Sequence, residues 1–172
     1  MKTILYSTIL LLATTSCNID PGPAYDAASV AYSSKEMAKE IVTALQHTSR
    51  QEYVALFPTL QEFHQMMEIN AVFYGEHLSA AKQEFATTYE RHLLIAVNES
   101  FDRIIREGNQ KGIEWNTISF QRVESSQITD DQFGQAQVAI VFGTNGKAYK
   151  LILKKALIIN SQWKLSQFIE LV

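Results

Sequence analysis

The sequence predicts an α+β fold in which N-terminal helices pack on a curved four-stranded antiparallel meander. Apolar residues recur at helical spacing up to about Glu107, and beyond it they alternate with polar residues at the period of two that is typical of strands. In addition, Asn145-Gly146 separates two runs of strand-forming residues, and Asn-Gly is the strongest short signal for a hairpin with a type I′ turn. An isolated hairpin is only marginally stable in water, so other elements must cover its apolar face.

The composition is that of an ordinary globular protein. The 172 residues are 47% hydrophobic and 19% charged, which is enough for one domain with a core. The formal net charge is -3, and the basic residues form no stripe. Because a nucleic acid must be neutralised by clustered Lys and Arg, no nucleic-acid partner is expected. With a single cysteine, Cys17, neither an intrachain disulfide nor a Cys-based zinc site can form.

Residues 1–17 have the pattern of a lipoprotein signal peptide. Lys2 precedes an apolar run of roughly ten residues, about half the length that a helix needs to cross a bilayer. The stretch Thr14-Thr15-Ser16-Cys17 resembles the bacterial lipobox, in which the cysteine becomes the acylated N-terminus. This resemblance implies lipidation of Cys17 and a lipid anchor to a membrane. Since Asn18 rather than Asp comes next, it also implies an outer-membrane location facing the periplasm. Plain secretion, with Cys17 an incidental thiol, is the alternative.

The composition of residues 18–33 predicts a flexible tether, and 34–172 are expected to form a single α+β domain. Three hydroxyl residues are each followed three positions later by Glu, the pattern of a helix capping box: Ser33, Ser49 and Thr59. A helix is expected to begin at each, with a break at Phe57-Pro58, because the residue before proline is pushed out of the helical region. A long helix should then run from about His77 to Glu107, with Gly108 as its C-terminal cap.

The long helix is expected to be central. Its segment from His92 to Val97 is apolar most of the way round, so it should be covered on more than one side. His92 falls on the predicted inner stripe near Tyr89, where both could contact a ligand, although a hydrogen-bonded core histidine is the simpler interpretation. His64 and Glu68 lie four apart on one helix, but two ligands do not make a catalytic zinc site, so no metal site or cofactor is predicted.

The order of elements resembles the nuclear transport factor two-like and cystatin-like superfamily. A meander that is entered at Gly112-Ile113-Glu114-Trp115 and closed by a strand beginning Gln162-Trp163-Lys164-Leu165 is similar to that of small bacterial lipoproteins of the Bacteroidetes type. The resemblance covers about 33–172. It implies a cone-like fold, similar to cystatin and ketosteroid isomerase, with a cavity between sheet and helices. Five residues are candidates to line that cavity: Phe63, Tyr89, His92, Trp115 and Phe120.

Three functions stay open. The favoured one is a membrane-anchored envelope lipoprotein that acts as a non-enzymatic module, holding a small apolar ligand in its cavity or contacting an envelope protein at its rim. The second is a cone-fold enzyme, isomerase-like or hydrolase-like, that uses Tyr89 and His92. The expected inward positions of the strands hold no carboxylate that could act as a base, so no catalytic residue is assigned. The third is a structural envelope component, for which an exposed apolar patch would be evidence.

The outer face of the predicted sheet is less polar than a freely exposed face should be. Four residues give it this character: Ala139, Val141, Ile152 and Ile158. This composition motivates the hypothesis of a homodimer in which that face packs against a second copy of the chain.

Overall fold

A computed structural model of the chain describes residues 27–129, 135–159 and 162–172. The helices are α1 (Ala27–Gln46), α2 (Arg50–Ala55), α3 (Leu60–Ile69), α4 (Ala71–Tyr74), α5 (Leu78–Thr88) and α6 (Leu94–Gln110). Short 3-10 turns occupy Gly75–His77 and Trp115–Thr117, and a π-helical turn, Tyr89–Leu93, joins α5 to α6. The strands are β1 (Ser119–Thr129), β2 (Gln135–Thr144), β3 (Lys147–Ile159), β4 (Gln162–Leu165) and β5 (Ile169–Leu171). The predicted signal peptide, Cys17 and residues 18–26 of the predicted tether lie outside the described residues.

The helices are followed by a curled antiparallel sheet, as the α+β prediction requires. Strand order is β1-β2-β3-β4, and β5 also pairs with β3. At the β2–β3 hairpin Thr144 pairs with Lys147, and the residues between them, Asn145 and Gly146, have φ values of 51° and 74°. Positive φ at both central positions is the requirement of a type I′ turn, so the Asn-Gly prediction is confirmed.

The single closing strand expected from Trp163 onward is divided into β4 and β5. Both pair antiparallel with β3, and the interruption lies at 166–168. There the backbone N–H of Ser166 donates to the Lys155 carbonyl at 3.2 Å, and the Ser166 hydroxyl donates to the same oxygen at 3.1 Å. Residues on both sides of the interruption are buried on one face, as alternation predicts: Trp163, Leu165, Ile169 and Leu171.

The core lies between α1 and the inner face of the sheet. Helix α1 contacts β1, β2 and β4, while α6 contacts β5 and α2. Ile41 and Leu45 on α1 are fully buried. The inward strand positions opposite them are also fully buried: Val138, Ile140, Phe142, Leu151, Leu153, Leu165 and Ile169. Burial of this apolar surface is the main stabilising contribution to the fold.

The helix starts are predicted correctly at two of three sites. The Ser49 side chain accepts a hydrogen bond from the backbone N–H of Glu52 at 3.2 Å, and Thr59 with Glu62 forms a complete capping box. The start at Ser33 is wrong, because α1 begins at Ala27 and Ser33 lies inside it. Residues 27–33 of the predicted tether therefore belong to α1.

Gly108 is not the C-terminal cap of the long helix, so that prediction is wrong. Helix α6 continues to Gln110, and it is Gly112, with φ of 75°, that takes the left-handed conformation after the helix. Gly108 is buried instead beneath Trp115: a Cβ built on it would lie 2.0 Å from Cζ2 of the indole. The glycine is required because the ring packs against the helix backbone.

The variant Gly108→Ala should therefore be less stable, although alanine is the better helix former. Because Trp115 must move away from α6, we expect the free energy of unfolding to fall by about 1–3 kcal/mol. Urea denaturation followed by circular dichroism measures the change. Glu99→Ala, at an exposed position of the same helix, is the control and should unfold as the parent chain does. Equal stability of Gly108→Ala and the parent chain would contradict the packing described here.

Candidate functional site

An open groove lies on the outer side of α6, where the turn before α2 approaches it. Its volume is about 690 Å³, within the range of small-molecule and peptide sites. Eight residues line it: Thr48, Arg50, Phe101, Asp102, Ile105, Arg106, Asn109 and Gln110. We refer to this site as the α6 groove.

Phe101 forms the floor of the α6 groove, and aromatic packing against the core fixes its position. Phe101 lies against Tyr53 of α2, with ring centroids 5.3 Å apart. Tyr53 is fully buried, and its hydroxyl is 2.8 Å from the hydroxyl of Ser100, which is also buried. Burial raises the pKa of Tyr53 to about 12, an effect that the Ser100 hydrogen bond and the charge of Arg103 only partly oppose. The floor is therefore fixed by the core.

Two arginines give the α6 groove its polar character. The Arg50 guanidinium lies 5.9 Å from the centre of the Phe101 ring and 2.5 Å from a carboxylate oxygen of Asp102. Both members of this pair are about half exposed, so it adds little stability. Arg106 is exposed and, among the described residues, lies within salt-bridge distance of no carboxylate. The groove therefore presents one neutralised and one available guanidinium beside an aromatic ring.

Trp115 orients Asn109, at the end of the α6 groove where the amide side chains of Asn109 and Gln110 lie. Its indole N–H donates to the side-chain oxygen of Asn109 at 3.0 Å and more weakly to the Ile105 carbonyl at 3.4 Å. The ring itself stacks on Phe142 of β2 at a centroid distance of 6.2 Å. Because the Asn109 oxygen is occupied by the indole, its NH₂ group is left to donate elsewhere. The groove is thus rich in hydrogen-bond donors.

The five residues predicted to line a cavity do not come together. Phe63 and Tyr89 contact each other between α3 and the π-helical turn, with centroids 6.1 Å apart, and the Tyr89 hydroxyl donates to the Pro58 carbonyl at 3.1 Å. Trp115 lies behind the α6 groove, and Phe120 packs at the edge of the core between α1 and the sheet. His92 belongs to the same π-helical turn as Tyr89, but it is exposed to solvent.

The expectation that His92 lies on an inner stripe is wrong, as is the expectation that 92–97 is covered on more than one side. His92 is exposed, and Ile95 is 53% exposed. The reason is the π-helical turn Tyr89–Leu93, which inserts an extra residue into the helix and rotates the turns after it. The inner face of α6 consequently passes through Val97, Phe101 and Ile104.

The described interior contains hydroxyl groups but no ionisable side chain except Tyr53. Among residues whose burial is described, no Asp, Glu, His, Lys or Arg is buried. The same part of the chain holds no group of three or more His, Cys, Asp or Glu that could bind a metal ion. The His64–Glu68 pair is used otherwise: Glu68 forms an ion pair with Lys82, and the His64 ring lies 3.3 Å from the Lys82 carbonyl. In the described ranges no helix is both long and apolar enough to span a bilayer.

The outer face of the sheet is covered in part by its own charged side chains. Arg122 and Lys150 flank Val141 on the neighbouring strands, and Glu124 pairs with both, at 2.8 and 2.6 Å. The hydrogen bond from Lys150 and, less strongly, that from Arg122 lower the pKa of Glu124. Ala139 and Val141 are buried within one chain. A homodimer through this face stays a prediction, but these two residues no longer require it.

Comparison with known proteins gives no family assignment. No protein-family model, no curated protein and no solved structure matches the chain.

Tyr53 should make the fold sensitive to alkali. Its folded pKa is above the value of about 10 that tyrosine has when unfolded, so its contribution is complete below that pH and is lost as the pH rises toward about 12. In this window the free energy of unfolding should fall by roughly 1.4 kcal/mol per pH unit more than in Tyr53→Phe. Urea denaturation of both chains at several pH values measures the difference, and Tyr74→Phe is the control. Parallel pH profiles for the parent chain and Tyr53→Phe would contradict the assignment.

Proposed function

We propose that this protein is a membrane-anchored envelope lipoprotein that acts as a non-enzymatic binding module and that the α6 groove is its binding site. The observation that carries the proposal is the exposure of Arg106 and Asn109 in a groove whose floor includes the buried Phe101 ring. An available guanidinium, amide donors and an apolar floor favour a ligand in which an anionic group stands next to an apolar one. A peptide segment of an envelope protein that ends in a carboxylate beside an aromatic or aliphatic side chain has this chemistry.

The packing of the interior supports a site on the outside. The inward residues of the sheet are buried against α1, and the described core offers no buried carboxylate or imidazole that could act as a base. Of the pair considered for a cone-fold enzyme, His92 is exposed to solvent, and the Tyr89 hydroxyl donates to the Pro58 carbonyl. The cystatin-like cone remains part of the proposal for the fold, and the small apolar ligand is replaced by an amphipathic one at the surface.

The anchoring rests on the lipobox-like stretch Thr14-Thr15-Ser16-Cys17 after its short apolar run. Acylation at two or more positions gives stable membrane attachment, whereas one chain gives only marginal binding. Under this proposal the domain acts at the outer membrane, on the periplasmic side, and the groove meets partners within the cell envelope.

The anchoring is tested by Cys17→Ser. In a Gram-negative host the parent chain should incorporate labelled palmitate and sediment with membranes, and Cys17→Ser should do neither, because the thiol is the acylation site. Labelling of immunoprecipitated protein and fractionation of the cells measure the two effects. Release of the parent chain into the soluble periplasm without label would contradict the anchoring and leave plain secretion as the explanation.

Binding to the α6 groove is tested with N-acetylphenylalanine as the probe and its amide as the neutral control probe. We expect the carboxylate to shift the backbone amide signals of residues 101–110 in NMR titrations and the amide to bind more weakly. Arg106→Gln should weaken binding by about ten- to a hundredfold, since a hydrogen bond to a charged group contributes roughly 1.5–3 kcal/mol. Asp102→Asn should strengthen it, because the variant makes the Arg50 guanidinium available.

The matched control for the titration is Arg91→Gln, which removes an exposed arginine outside the groove. It should bind the probe as the parent chain does. Equal binding of the acid and the amide, or equal weakening by Arg91→Gln and Arg106→Gln, would contradict the assignment of the groove as an anion site.

A further inference from the structure

Residues 60–93 form a helical arm that stands away from the core. The arm consists of α3, α4, α5 and the turns between and after them, and none of its residues is buried. Its interior is a cluster of three aromatic rings, Phe63, Phe85 and Tyr89, with the closest pair of centroids 4.8 Å apart. At its base, Lys164 of β4 lies 3.5 Å from the Glu62 carboxylate. An arm held together by so few contacts contributes little to the stability of the core.

The far end of the arm exposes apolar side chains. Ile69 is 80% exposed, Val72 is 87% exposed and Phe73 is 49% exposed. They belong to the stretch from Ile69 to Gly75, which we refer to as the tip. Soluble surfaces carry single exposed apolar residues without consequence, but a cluster at a projecting end marks an interaction site.

The tip carries no charged side chain, and the nearest charged residues in the sequence flank it. The seven residues of the tip include no Asp, Glu, Lys, Arg or His. Glu68, on one side, is neutralised by its ion pair with Lys82, and Glu76 lies on the other. A surface without cations does not select an anionic partner. Binding at the tip must therefore come from the burial of apolar side chains.

The small size of the tip favours a lipid bilayer over a second copy of the chain as its binding partner. A stable dimer buries about 800 Å² of each partner, more than three side chains at the end of a narrow arm provide. A bilayer interface requires neither that area nor a complementary shape, and it accepts isolated Phe, Ile and Val side chains next to uncharged backbone turns. Ile95, which is also exposed, lies beyond the arm, at the start of α6, and has no such neighbours.

We propose that the tip inserts into the apolar boundary of a lipid bilayer, so that the arm is a second, non-covalent membrane contact of the domain. The proposed anchoring supplies the setting for this contact, but the contact does not depend on the α6 groove. Ile69, Val72 and Phe73 enter the membrane, while Glu68 and Glu76 stay at its surface.

The test is tryptophan quenching in the mature chain, as a Gram-negative host processes it, reconstituted into phosphatidylcholine vesicles that are brominated near the top of the acyl chains. Phe73→Trp places a fluorescent reporter in the tip, and Ile95→Trp is the matched control at an exposed apolar site outside it. The two native tryptophans, Trp115 and Trp163, are buried. The fluorescence of the parent chain measures their emission, which is subtracted from that of each variant.

Interfacial apolar residues lie roughly 5–10 Å into the headgroup and acyl boundary, within reach of the bromine atoms. The indole introduced by Phe73→Trp should therefore lose about half of its emission. The indole introduced by Ile95→Trp should lose almost none. Adding Val72→Asp to Phe73→Trp should abolish the quenching, because a carboxylate in the tip opposes its transfer out of water.

Flotation of the same vesicles separates the tip contact from the anchoring. If the chain floats with the vesicles but the reporter in Phe73→Trp is not quenched, the tip does not enter the bilayer, and the anchoring stands. If the parent chain takes up no palmitate in cells but the reporter is quenched, the tip contact stands without the anchor.

Two further results would overturn the proposal in favour of another occupant. A blue shift of the Phe73→Trp emission that grows with protein concentration in the absence of lipid would indicate a second copy of the chain. Absence of quenching in the vesicles, together with a saturable blue shift of the Phe73→Trp emission when a co-purified envelope protein is added, would indicate a protein partner.

Discussion

The apolar contact between α1 and the inner face of the sheet is the interaction on which the described structure depends. A two-stranded ribbon such as β2–β3 is not stable alone, and the strands that flank it extend the sheet without covering its apolar face. Helix α1 covers that face with Met37, Ile41 and Leu45, and α6 completes the cover through Val97, Phe101 and Ile104. Since these positions interdigitate as a single core, the curvature of the sheet and the placement of both helices are set together.

The same constraint places the candidate site. Helix α6 has an inner face that packs on the body and an outer face that carries Asp102, Arg106 and Asn109. Because the inner face is occupied by core contacts, chemistry that is open to partners must lie outside. Phe101 belongs to both environments: one side of its ring packs on Tyr53 and the other lies beneath Arg50. Packing in the core therefore determines how firmly the groove presents its guanidinium groups.

Much of the fold was predictable because the deciding interactions are local. Asn145-Gly146 determines its hairpin, Thr59 with Glu62 determines a helix start, and period-two alternation identifies the inward strand residues. The π-helical turn at Tyr89–Leu93 was not predictable, because nothing in the residue pattern marks an extra residue in a turn, and this error placed His92 on the wrong face. Gly108 was misassigned because a glycine near a helix end is typical of a cap, whereas its contact with Trp115 is tertiary.

The groove was missed for a different reason. Its residues at 102, 106, 109 and 110 have the spacing of one helical face, and the sequence shows that spacing. Polar residues at such spacing are typical of any solvated helix, so only the approach of Arg50 from α2 distinguishes this face from others.

The helical arm, residues 60–93, bears on how long the domain survives intact. Since no residue between 60 and 93 is buried, its amide hydrogens should exchange through local opening while the body stays folded, and a protease that cuts there should leave the sheet and α1 intact.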